Sequence, residues 1–151
     1  MASPMHALLY LLAVVAGAAT AVQAAVNTQL KGHVPVPMQA TLISFSTGAI
    51  VSLAYCLITR APVIQWSRLS EAPWWAWTGG TLGTLFVWSS MTVAPKLGIA
   101  QMVTIVLFGQ MLTALVVDHF GLLGMQAIPL SLTRGLGALL VLGGMMLFTV
   151  R

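Results

Sequence analysis

The chain has 151 residues, 59% of them hydrophobic and 5% charged, with a mean hydropathy of +0.99. A water-soluble domain carries about 25% charged residues, so this composition excludes a soluble globular enzyme and a disordered chain. The net charge of +4 comes from six Lys and Arg scattered singly, which leaves no basic patch for a nucleic acid.

Pro4, Pro35, Pro37, Pro62, Pro73, Pro95 and Pro129 fall between the apolar runs or at their edges. An interior proline removes a backbone hydrogen bond and clashes with the preceding turn, so the runs between them are expected to be helices. Crossing a bilayer core of about 30 Å takes about 20 helical residues. Five transmembrane helices are predicted, over 6–29, 38–59, 74–94, 98–118 and 134–150. The expected fold is an all-α, polytopic membrane protein with a single membrane domain over 1–151.

The first run is almost continuously apolar from Leu8 to Val22, which excludes the alternating pattern of a membrane β-strand. It has a small-residue stretch around Ala24 but no preceding Lys or Arg, so a retained span is expected rather than a signal peptide. Gln23 and Asn27 share a helix face with Thr20 and Ala16. Their amides both donate and accept, which suits a neutral or zwitterionic solute, and equally suits a bond to another helix or a helix-end cap. Ala13, Gly17, Ala21 and Ala25 form a ridge of small residues that allows close helix approach.

Lys31–Pro37 is a short connection, so the first two spans run antiparallel. The second span contains the lone cysteine, Cys56, which excludes a disulfide framework and a Cys-rich metal site. Arg60–Pro73 is the longest connection, with room for a brief interfacial helix and with Glu71 as a solvated charge. Trp74, Trp75 and Trp77 open the third span as an interfacial belt. Within that span, Gly79 and Gly83 offer a second close-approach site. Trp88 could hold a cation against its ring face or simply pack. Pro95–Leu97 is expected to be a tight turn, with Lys96 as an interfacial anchor.

Gln110 lies well inside the fourth span beside Gly109, with Thr113 one turn on. It must face a partner helix or a cavity, because lipid offers its amide nothing. Gln101 and Thr104 share a face nearer the start of that helix. Asp118 ends the span, where a carboxylate opposes the helix dipole. Pairing with Arg134, Lys96 or His119 would make it structural, whereas desolvation would make it a protonatable coupling group. The fifth run is the shortest and is extended by Leu132 and Thr133, with Gly135, Gly137, Gly143 and Gly144 loosening it.

Orientation follows the excess of Lys and Arg in cytoplasmic loops. With five spans, one face holds Arg60, Arg68 and Arg134 and the other Lys31, Lys96 and Arg151. The bias is zero, which predicts dual topology. Five helices make a thin bundle with little interior. An inverted second copy would complete ten helices about an axis in the membrane plane, the symmetry on which alternating access is built.

Taken in order, Gln23-Ala24-Ala25-Val26-Asn27-Thr28-Gln29-Leu30, Pro73-Trp74-Trp75-Ala76-Trp77-Thr78-Gly79-Gly80, Ala94-Pro95-Lys96-Leu97-Gly98, Gly109-Gln110 and Asp118-His119-Phe120-Gly121-Leu122-Leu123-Gly124 resemble the YdcZ-like, five-helix branch of the drug/metabolite transporter superfamily. The resemblance implies a half-size bacterial inner-membrane protein related to ten-helix transporters made of two inverted halves. Small multidrug pumps of that superfamily carry a membrane-embedded glutamate in their first helix. This first span has no acid, so that coupling chemistry does not carry over.

The function expected is secondary transport of a small polar or amphipathic metabolite across the bacterial inner membrane. The substrate would sit at the interface of an antiparallel homodimer, against Gln23, Asn27, Trp88 and Gln110, with Asp118 a coupling or structural charge. The alternative is a non-transporting subunit that completes or regulates another half-size transporter. No Walker-type loop is present, so ATP is not the direct energy source. His6, His33 and His119 sit at span edges and make no Ser/His/Asp or metal constellation, so neither an enzyme, a cofactor nor a metal is expected.

Overall fold

A computed structural model describes residues 4–149. All its regular elements are helical: α1 (Pro4–Lys31), α2 (Pro37–Ile58), the one-turn α3 (Trp66–Leu69), a 3₁₀ turn (Trp74–Thr78) leading into α4 (Gly79–Leu97), α5 (Ile99–Phe120), a second 3₁₀ turn (Leu122–Gly124) and α6 (Leu132–Thr149). Four segments are long and apolar enough to cross a membrane: Met5–Lys31, Pro37–Ile58, Ile99–Phe120 and Leu132–Thr149. The third expected span departs from the others. Its first five residues are 3₁₀, and α4, which contains Thr81, Thr84, Ser89, Ser90, Thr92 and Lys96, falls short of that apolarity.

The helix ends follow from local chemistry. Pro37 takes the first position of α2, where a missing N–H costs nothing. The Gln39 side chain reaches back to accept the Val36 N–H at 3.2 Å. The expected turn at Pro95–Leu97 is instead the last turn of α4. Reversal into α5 is carried by Gly98 alone, whose φ of +85° is open to a residue without Cβ, so the helix runs on through Pro95. Ser131 caps α6 by accepting the Arg134 N–H at 3.3 Å. The last expected span residue, Val150, and the Arg151 counted in the charge balance lie outside the described residues.

Contacts divide the chain into two compact units, one running through Thr92 and the other starting at Val93. In the first, α1 packs along α2. Its core is Ala40, Val87 and Met91, with Leu30, Val34 and Phe86 against them. Ala24, Asn27, Thr41 and Ser90 are buried as well. By contrast, every residue from Met5 to Ala19 and from Phe45 to Arg68 is exposed. The first unit is thus packed near the α1–α2 turn and largely unpacked toward the other end. In the second unit α5 and α6 lie side by side, with their connection folded back across the ends of both.

Candidate functional site

The first unit holds a cavity of about 500 Å³ lined by α1 residues Ala19, Val22, Gln23, Val26, Asn27 and Leu30 and α2 residues Ile43, Ser44 and Thr47. Gln23 and Asn27 reach it together because four residues return a helix to the same face. Asn27 is 4% exposed. Its carboxamide makes no hydrogen bond among the described residues, and neither do Gln23 and the Ser44 hydroxyl beside it. Most hydroxyls in these helices are satisfied locally: Thr20, Thr28, Thr47 and Ser52 each donate to the carbonyl four residues back. Ser44 is not, and Thr47 keeps its oxygen lone pairs free to accept. No buried side-chain nitrogen or oxygen among the described residues lacks a hydrogen-bond partner, so the Asn27 carboxamide is open to this cavity, as are exposed Gln23 and half-buried Ser44, and all three are free to bond whatever enters it.

The remaining lining is aliphatic, and no ionisable group faces the cavity. The chemistry on offer is therefore hydrogen-bond donation and acceptance at one wall and apolar contact elsewhere. Only α1 and α2 line it, and two helices cannot close a chamber around a solute.

A larger groove of about 880 Å³ runs between α2 and the start of α4, lined by Val36, Met38, Gln39, Thr41, Leu42, Phe45, Trp77, Gly80, Thr81 and Thr84. Here Phe45 lies against Gly83, where a Cβ would stand 3.0 Å from the ring. At the packed end, the Lys31 ammonium donates to the Met91 carbonyl at 3.0 Å and ties the end of α1 to α4.

Of the residues singled out in the sequence, the structure brings Gln23 and Asn27 into one cavity. Trp88, 40% exposed on α4, lines neither the cavity nor the groove. Gln110 belongs to the second unit and is exposed on α5. Asp118, also in the second unit, accepts from the Arg134 guanidinium at 2.6 Å. Arg134 donates further to the Ile128 carbonyl at 3.3 Å, and the Ile128 N–H bonds the Asp118 carbonyl at 2.7 Å. Each charge of this pair sits at the unfavourable end of its own helix dipole, an anion at the end of α5 and a cation at the start of α6, and pairing answers both. The neighbouring His119 accepts the Leu130 N–H at its Nδ1, 3.0 Å away.

Three residues of this architecture were not singled out as site residues. Ser44 and Thr47 could have been found from helix periodicity, because they share the face of α2 that meets α1. Lys31 entered only as a topology charge. Its signal was the pairing of Pro95 with Met91 four residues earlier, legible once Pro95 is placed inside a helix.

Residues 8–147, nearly the whole chain, match the family model DMT_YdcZ, described as "Putative inner membrane exporter, YdcZ". Among curated proteins and solved structures, none matches the chain.

Proposed function

The chain belongs to the YdcZ family of multi-pass inner-membrane transporters, and from that premise we propose that it exports a small uncharged or zwitterionic amphipathic metabolite through the α1–α2 cavity. The carrying observation is Asn27, a residue only 4% exposed whose carboxamide makes no protein hydrogen bond and opens onto a cavity it shares with Gln23, Ser44 and Thr47. A solute hydroxyl, amide or amino-acid backbone matches these donors and acceptors, and its apolar part matches Val22, Val26, Leu30 and Ile43. A permanent cation finds no counter-charge there.

The working unit is an antiparallel homodimer of five-span copies, with the 3₁₀ turn and α4 together making the third span. Two observations support a second copy. The cavity has walls from only two helices, and Gln110 presents an amide on an exposed face in mid-α5, where lipid cannot satisfy it. A wall from an inverted twin completes the chamber, and Gln110 and Trp88 find their partners at that interface. Rocking of the packed end against the unpacked end then exposes the site alternately to each side. Asp118 is structural in this scheme, held by Arg134.

The test is a thermal-shift screen of the purified protein against uncharged, zwitterionic, cationic and anionic metabolites, followed by counterflow of the hits in proteoliposomes. Stabilisation by uncharged or zwitterionic compounds, lost in Asn27→Leu, is expected. Hits confined to permanent cations and unaffected by Asn27→Leu would overturn the assignment.

A further inference from the structure

We infer that Lys31 is a latch whose ammonium, bonded to the main-chain carbonyl of Met91, holds the packed end of the first unit shut, and that releasing this bond opens that end. In an α-helix the carbonyl of a residue accepts the N–H four positions on. For Met91 that position is Pro95, which has no N–H to give. Met91 is fully buried, so water cannot take over. Lys31 supplies the donor, at 3.0 Å and across sixty positions of sequence. The proline creates the vacancy, and the last residue of α1 fills it.

The surroundings make this bond a latch as well as a cap. The acceptor residue Met91 is itself part of the core with Ala40 and Val87, and Leu30, next to Lys31, packs against that core, while the far ends of α1 and α2 are exposed. The acceptor is a neutral carbonyl, so letting go costs less than breaking an ion pair, and a released lysine can extend its stem and carry its head to the interface. Asn27 stands one turn before Lys31 on α1, so movement of this helix end moves the cavity wall with it. The latch takes its meaning from the transporter reading above, but its test needs no substrate.

In a Cys56→Ser background, a single Ser90→Cys reports access to the packed end through its maleimide labelling rate in proteoliposomes. Lys31→Met should label about tenfold faster than the parent, the shift expected from losing one charged hydrogen bond, and should melt at a lower temperature because the Met91 carbonyl is orphaned. Adding Pro95→Ala restores an N–H to that carbonyl. Lys31→Met/Pro95→Ala should therefore recover the melting temperature yet label as fast as Lys31→Met. Lys31→Arg keeps a donor and should behave as the parent in both measurements. Should Lys31→Met fail to fold, the double variant carries the test alone, because it leaves no orphan. Parental labelling in the double variant would reduce Lys31 to a carbonyl cap and overturn the latch. Loss of ligand stabilisation in Asn27→Leu is read separately, so the two proposals can fail independently.

Discussion

The two units of this chain each use one cation to hold helices together, and they do so on different terms. In the first, Lys31 bonds a neutral carbonyl that Pro95 left without a donor. In the second, Arg134 bonds a full carboxylate at 2.6 Å and also the Ile128 carbonyl of the intervening loop. The second clasp closes a local connection, its partners sixteen positions apart, and answers two helix dipoles at once. The first bridges distant segments, one residue beyond the Leu30 wall of a cavity whose two amides are free to bond a ligand. Under the latch proposal the first unit is the part that moves and the second its frame. A charge held by a dipole is easier to release than one held by an opposite charge.

The largest expected effect concerns which face each cation occupies. In the five-span reading Lys31 and Arg134 fall on opposite faces, so setting aside both clasped cations leaves Arg60 and Arg68 against Lys96 and Arg151, and the balance is unchanged. C-terminal fusions to a reporter active only in the cytoplasm and to one active only in the periplasm should both give signal. Arg60→Ala/Arg68→Ala strips one face of its free cations and should suppress one of the two signals about tenfold. A single signal from the unmodified chain would sink the antiparallel arrangement and leave the cavity without its third wall.

Next in size is the clasp of the second unit. Asp118→Ala removes the partner of Arg134 and should lower the melting temperature by a few degrees, corresponding to about 1 kcal/mol for a partly exposed pair. Asp118→Ala/Arg134→Ala should recover part of that loss, because the stranded cation at the start of α6 goes with it. Ligand stabilisation should survive in both variants. If Asp118→Ala instead abolished transport while leaving the melting temperature unmoved, the carboxylate would be a coupling group and the second unit would not be a rigid frame.

How much of this was legible in the sequence depends on the range of the interaction. The apolar runs and the prolines between them were enough to place α1, α2, α5 and α6 within a few residues, because a span is a local property of composition. Asn27 and Gln23 fell on one face by periodicity alone. Pro95 was read as a breaker, since a proline inside a helix is costly unless something satisfies the carbonyl it orphans. That something is Lys31, sixty positions away, and no local pattern reveals it. Likewise, Ser44 matters only because α2 lays it beside Asn27, and Arg134 was one of three candidate partners for Asp118 until the loop folded back.

A smaller effect is expected at Gln110, the residue of the second unit assigned to the interface with a second copy. Gln110→Ala should reduce counterflow a few-fold, consistent with losing one neutral hydrogen bond of about 1 kcal/mol, while leaving membrane insertion and the melting temperature in place. Unaltered flux would remove Gln110 from the interface and make the second unit a frame alone.

The smallest effect probes the unpacked part of the first unit. Gly83→Ala would place a methyl 3.0 Å from the Phe45 ring. In a rigid interior such overpacking costs 1 kcal/mol or more, at the low end of about 1–3. Phe45 is 39% exposed, and no neighbour from Phe45 to Arg68 is buried, so its ring can swing aside. The expected change in melting temperature is therefore about 1 °C or less, well below that of Asp118→Ala. A drop as large as that of Asp118→Ala would mean that α2 and α4 are held together at this level. The first unit would then lack the loose end that a latch at Lys31 requires.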